Sequence, residues 1–153
     1  MFKRIIVPVD GSDASNLALD AALRLAADAG GQVRMIHVVE EMAYLSGGGA
    51  YGAYSGDMLG IMRDAGNTIL ADAIARASST GVPTDVQLYD KLGDRLSEVV
   101  ADTAEAWKAD LVVVGTHGRR GVRRLLLGSG AEQIIRTAPV PVLVIRSPDR
   151  LPG

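Results

Sequence analysis

Residues 3–29 read KRIIVPVDGSDASNLALDAALRLAADA. Lys3 to Val9 is a β-branched run that stops at Asp10-Gly11-Ser12. From Ala14 to Ala29 the apolar residues Leu17, Ala18, Ala21, Ala22 and Leu25 recur on one helical face. Ser12 or Asp13 supplies the N-cap, and Gly30-Gly31 ends the helix. A strand therefore turns directly into a helix, and the alternation continues along the chain.

Val33 to Val39 is a second strand, followed by a polar, Gly-rich stretch from Ser46 to Asp57. A helix over about Asp57 to Ser79 carries Met62, Gly66, Ile69, Ala73 and Ala77 on one stripe, and Gly81 stops it. Thr84 to Tyr89 is a short strand. Asp94 caps a helix whose face is Leu96, Val99, Val100, Thr103, Ala104 and Trp107. Leu111 to Val114 is an apolar strand, Gly115 to Leu127 a loop, Ser129 to Thr137 a helix, and Val142 to Ile145 the last strand. Strands Ile5 to Val7, Leu111 to Val114 and Val142 to Ile145 are apolar on both faces, as strands covered by helices on both sides are. The fold class is α/β, a doubly wound parallel sheet. Such sheets bind ligands beyond the carboxyl ends of the strands, where the winding reverses. The segments to search are Asp10 to Ser12, Glu40 onward, Asp90 to Gly93 and Gly115 to Gly128.

Composition narrows the chemistry. The chain has 153 residues, the size of one ordinary domain. It has no cysteine, which excludes disulfides, a thiol nucleophile and thiolate metal sites. Its only histidines are His37 and His117. The net charge of −2 and 4% aromatic content speak against a nucleic-acid surface. Apolar stretches fall well short of the roughly 20 residues of a membrane span, and the chain reads as cytoplasmic.

The segment after the Leu111 strand carries the most chemistry. Residues 115–136 read GTHGRRGVRRLLLGSGAEQIIR. Glycines let backbone N–H groups approach an anion, and the Ser129 helix adds orphan donors at a positive dipole end. Arg119, Arg120, Arg123 and Arg124 add charge to the same loop. Together they describe a polyphosphate cradle. Each part alone has a plainer reading: Ser129 to Glu132 is also a capping box, the arginines a solvated face, Gly115 a tight turn.

Gly115, Gly118, Gly128 and Ser129 meet the pattern G-x2-G-x9-G-[ST], which resembles the signature of the nucleotide-binding branch of the universal stress protein family. KRIIVPVDGSDAS, MIHVVE, ADLVVVGTHGRRG and APVPVLVIR resemble that family's first, second, fourth and fifth strands with their flanks, so the likeness covers nearly the whole chain. It implies one domain over 1–153 with a five-stranded parallel sheet in the order 3-2-1-4-5, flavodoxin-like and similar to the adenine nucleotide alpha-hydrolases. The cofactor it implies is ATP or a related adenine nucleotide, with or without Mg. Adenine would lie near Pro8, Val9 and Val38, and the ribose by Asp10 and Gly115. Gly118, Arg119, Gly128, Ser129 and Gly130 would hold the phosphates. His117 sits inside the loop, with a phosphate-side or loop-packing role open. The resemblance also implies a homodimer through Val142, Leu143, Val144 and Ile145, and a nucleotide-dependent regulator of stress responses with an unidentified protein partner.

Other signals discount themselves. Gly47 to Gly52 matches G-x-G-x-x-G, but it begins eight residues after Val39 and not in a strand-to-helix turn. It reads as part of a flexible loop over about 41–57. His37, between apolar neighbours, reads as a satisfied buried histidine, and Trp107 as core. Asp10 is either a ribose or metal-water ligand or an N-cap. No base or second carboxylate accompanies it, so efficient phosphoryl transfer is not indicated. The alternatives are a ligand-free interaction module of the same fold and a slow ATPase.

Overall fold

A computed structural model describes residues 1–40, 56–91, 93–116 and 129–147. The elements are β1 (Arg4–Pro8), α1 (Asp13–Ala29), β2 (Gln32–Val38), α2 (Gly56–Ser78), β3 (Thr84–Tyr89), α3 (Leu96–Trp107), β4 (Leu111–Thr116), α4 (Ser129–Thr137) and β5 (Val142–Arg146). The five strands form one sheet in the order β3-β2-β1-β4-β5, parallel throughout.

The apolar runs are explained by two cores. Successive side chains of a strand point to opposite faces. Ile5 and Val7 join α1 and α2 through Leu19, Leu23, Leu70 and Ala73. Ile6 joins α3 and α4 through Val99, Val100, Ala104 and Ile134. A strand with a core on each side has no polar face to show.

Several local expectations are corrected. The α1 face is rotated from the expected stripe: Leu19, Leu23 and Ala26 are buried, whereas Leu25 is only half-buried. An Ala-rich helix is apolar around much of its circumference, so the sheet decides its rotation. Ser12, not Asp13, is the N-cap: its Oγ accepts from Ser15 N–H at 3.2 Å. Gly30 ends α1 in the left-handed conformation, at φ 66°. β4 runs two residues past Val114, with Gly115 and Thr116 paired to Ile145 and Arg146. Trp107 packs against the second core as expected but is only half-buried, with the Arg34 guanidinium 4.4 Å from its ring centre and that of Arg4 at 5.8 Å. Arg34 also holds Asp85 through two bonds, at 2.8 and 2.9 Å, which raises its pKa.

The amino end of the β1–β4 seam is heavily bonded. Asp110 accepts from the N–H groups of Lys3 (2.8 Å) and Arg4 (3.1 Å), and its own N–H donates to Arg4 O at 2.9 Å. Arg4 Nη1 donates to Trp107 O at 2.7 Å.

Candidate functional site: a crevice where β1 and β4 part

The order β3-β2-β1-β4-β5 places the reversal of winding between β1 and β4. There the ladder is short. β1 and β4 are paired only at Ile5–Leu111 and Ile6–Val112, while β1 continues to Pro8 and β4 to Thr116. By contrast, β1 pairs with β2 from Arg4 through Pro8.

Pro8 accounts for the difference. Val9 N–H donates to Ile36 O at 2.8 Å, so odd-numbered amides of β1 face β2. Alternation turns position 8 toward β4, and proline has no N–H to give. The same parity argument aims two other backbone sites at the gap. Val112 N–H donates to Pro141 O, on the β5 side, so the peptide N–H of Gly115 faces β1. Val39 N–H donates to Tyr89 O, on the β3 side, so the N–H of Val38 faces β1, past that ladder's last rung at Pro8–Ile36. Val38 and Gly115 thus turn backbone groups over the end of β1 from opposite sides.

The floor is held firmly. Val9 is buried, and its carbonyl lies 2.7 Å from His37 Nδ1. A carbonyl only accepts, so Nδ1 carries the proton and donates. The expected satisfied histidine is therefore found, half-buried, and it fixes a residue of the crevice. Gly66 of α2 makes room for it: a Cβ there would lie 2.8 Å from His37 Cδ2. Sequence pattern placed Gly66 on the inner stripe but did not connect it to His37.

Gly115 has a structural duty of its own. A Cβ there would lie 2.3 Å from the Ala14 carbonyl oxygen, so only glycine lets β4 press against the first turn of α1. Asp10 is exposed; its Oδ1 accepts from Ser12 N–H at 2.9 Å, and its N–H donates to Ser15 Oγ at 3.1 Å. The Asp10 carboxylate thus supports the turn before α1 without being the cap. Ser129 and Gly130 open α4 as expected. Glu132 bonds Arg136 at 3.0 Å, an i,i+4 pair. His117, Gly118, Arg119 and Gly128, with the segment 41–55, lie outside the described residues.

The expected cap of α3 is corrected. Asp94 turns away, accepting from Lys91 N–H at 3.0 Å. Arg95 occupies the cap position and makes no side-chain cap bond. Instead Glu40, just past β2, accepts from Leu96 N–H at 2.9 Å. Among the described residues no three His, Asp or Glu are grouped to hold a metal ion. A cleft of about 750 Å³ lies elsewhere, between β3 and α3, lined by Arg34, Gln87, Tyr89, Thr103 and Trp107. Within it Tyr89 Oη bonds Gln87 and Thr103, and Arg34 bonds Asp85 beside it.

A family model described as the universal stress protein family matches residues 1–146. The chain belongs to the universal stress protein family. A universal stress protein of Methanocaldococcus jannaschii is 34% identical over 151 residues, covering 98% of this chain and 85% of that one. The crystal structure of a universal stress family protein from Burkholderia pseudomallei has 32% identity and a TM-score of 0.75, over 95% of this chain and 97% of the other. An Archaeoglobus fulgidus universal stress protein, solved in complex with dAMP, shares the fold at 22% identity and TM-score 0.66, over 95% of this chain and 98% of the other.

Proposed function

We propose that this universal stress protein binds ATP in the crevice between β1 and β4 and acts as a nucleotide-dependent regulator in the cytoplasm. The observation that carries the reading is the parting of the two strands at Pro8, with the Val38 and Gly115 backbone turned over the gap. The base would stack on Pro8 and Val9 and use the Val38 backbone. Asp10 and Gly115 would face the ribose. His117, Gly118, Arg119, Gly128, Ser129 and Gly130 would surround the phosphates, where the start of α4 supplies orphan amides. The dAMP complex of the Archaeoglobus fulgidus relative supports the adenine class. No helix of the described residues is long and apolar enough to cross a membrane.

The test is a calorimetric titration with ATP. The wild type should bind with Kd in the micromolar range, about −8 kcal/mol. Gly118→Val, which puts a branched side chain where phosphate would approach, should weaken binding at least about tenfold with the fold intact. Equal titrations would remove the assignment and leave an interaction module of the same fold. Turnover should fall about three orders of magnitude below the ~1–100 s⁻¹ of kinases, since backbone donors that hold the ground state give affinity without rate. Steady-state phosphate release checks this, and a rate near about 1 s⁻¹ lost in Asp10→Ala would make the protein an enzyme.

The same reading includes one domain over 1–153 and a homodimer. β5 ends the sheet, and Leu143 on it is 37% exposed. An apolar edge strand left open invites pairing, and a two-fold axis would close it. Leu143→Asp should shift the mass in light scattering toward monomer; a wild type that is monomeric at tens of micromolar contradicts it.

A further inference from the structure

We propose that Glu40 is a positioning residue for the crevice, setting the amino end of α4 through Leu96. The proposal rests on the nucleotide reading above and adds a residue to it.

Glu40 lies two residues past Val38, on the segment whose backbone is turned over β1. Its carboxylate reaches a helix 56 residues away and accepts the Leu96 N–H at 2.9 Å in a half-buried setting. Among the described residues nothing nearer in sequence does this work: Arg95 makes no side-chain cap bond, and Asp94 accepts from Lys91. A carboxylate is the strongest acceptor for a first-turn amide and is favoured there by the helix dipole. Leu96 then meets α4. Its Cδ2 lies 3.2 Å from where a Cβ on Gly130 would stand. The missing Cβ leaves room for the Leu96 side chain, which packs against the same core cluster as Ala131 and Ile134 of α4, and close-packed neighbours pass displacement on. The β2 end and the α4 end are thus tied by one hydrogen bond and one apolar contact. A base held at Val38 and phosphates held at Ser129 and Gly130 would not be independent of each other.

The experiment compares the full-length wild type with Glu40→Ala and Glu40→Gln. Two quantities are read: affinity for ATP and for adenosine by calorimetry, and amide hydrogen exchange of 96–99 and 133–136, the hydrogen-bonded amides of α4, without ligand. Glu40→Ala should weaken ATP about three- to tenfold and adenosine less than about twofold, the range of couplings carried through packed neighbours. Exchange should quicken in both segments. Glu40→Gln keeps an acceptor oxygen and should stay within about twofold of wild type for both ligands. If Glu40→Ala does not fold, Leu96→Ala keeps the bond but removes the contact with Gly130. It should reproduce the ATP-selective loss while 96–99 stays slow to exchange. Equal losses for ATP and adenosine, or unchanged exchange at 133–136, would overturn the proposal. A wild type that binds neither ligand would sink the nucleotide reading, and the exchange at 133–136 would then decide the role of Glu40 alone.

Discussion

The two ends of the β1–β4 seam are built in opposite ways. At the amino end, Asp110 gathers the N–H groups of Lys3 and Arg4 and returns its own to Arg4 O, and the Arg4 guanidinium holds Trp107 O. At the carboxyl end the ladder stops at Ile6–Val112, and Pro8 has no N–H to continue it. One end spends its polar groups on the fold and the other keeps them for something else. On the nucleotide reading proposed above, stability and binding should therefore respond to changes at opposite ends of the same two strands.

Two substitutions test that separation, and a third away from the seam sets its scale. The largest effect is expected at the bonded end. Asp110→Ala strips the acceptor from two backbone amides and should cost about 2 kcal/mol, a fall of about 4–8 °C in Tm. ATP affinity, measured where the variant is folded, should stay within about twofold. A tenfold loss of affinity would show that the two ends are not separate. Next comes the parted end. Pro8→Val restores an N–H facing β4 and should let the ladder grow. Thermal unfolding should then move by less than about 1 kcal/mol while ATP binding weakens about tenfold, or 1.4 kcal/mol. A protected amide at position 8 in hydrogen exchange checks the cause, and unchanged affinity would contradict the crevice.

The smallest effect is expected far from the seam. Arg76 bonds Asp20 at 2.7 and 2.8 Å between α2 and α1, and the Arg76 hydrogen bond lowers the Asp20 pKa. Both groups are well exposed, so Arg76→Ala should cost only about 0.5 kcal/mol near neutral pH. A lowered carboxyl pKa stabilises above the unfolded value of about 4 and stops doing so as pH falls through the folded one. The difference between wild type and variant in denaturant midpoint should therefore shrink below about pH 4. A constant difference down to about pH 2 would show that Asp20 is not the partner that matters.

The alternation of strands and helices was legible because a short run apolar on both faces, such as Ile5 to Val7, suits a strand with a core on each side and little else. The place of the crevice followed from the same logic. What could not be read was parity. Whether Pro8 faces β2 or β4 depends on the register of Val9 with Ile36, which is set by packing across the sheet. Local rules failed in the same way at α3, where Asp94 stands at capping distance in sequence but Glu40 arrives from 56 residues away. Gly115 was read for what it lets approach from outside; the contact with Ala14 shows what it admits from inside. His37 was legible as satisfied, but its partner at Val9 was not.

Pro8 also matters before the sheet exists. β1 pairs with β2, its near neighbour in the chain, but its other edge waits for β4, more than a hundred residues later. At translation speeds of about 5–20 residues per second, that edge stands open for roughly 5–20 seconds in every new molecule. An open apolar strand is a template for pairing with a neighbouring chain, and a proline on the exposed side interrupts the template. The residue that keeps two strands apart in the finished protein thus also keeps nascent chains apart while it is being made.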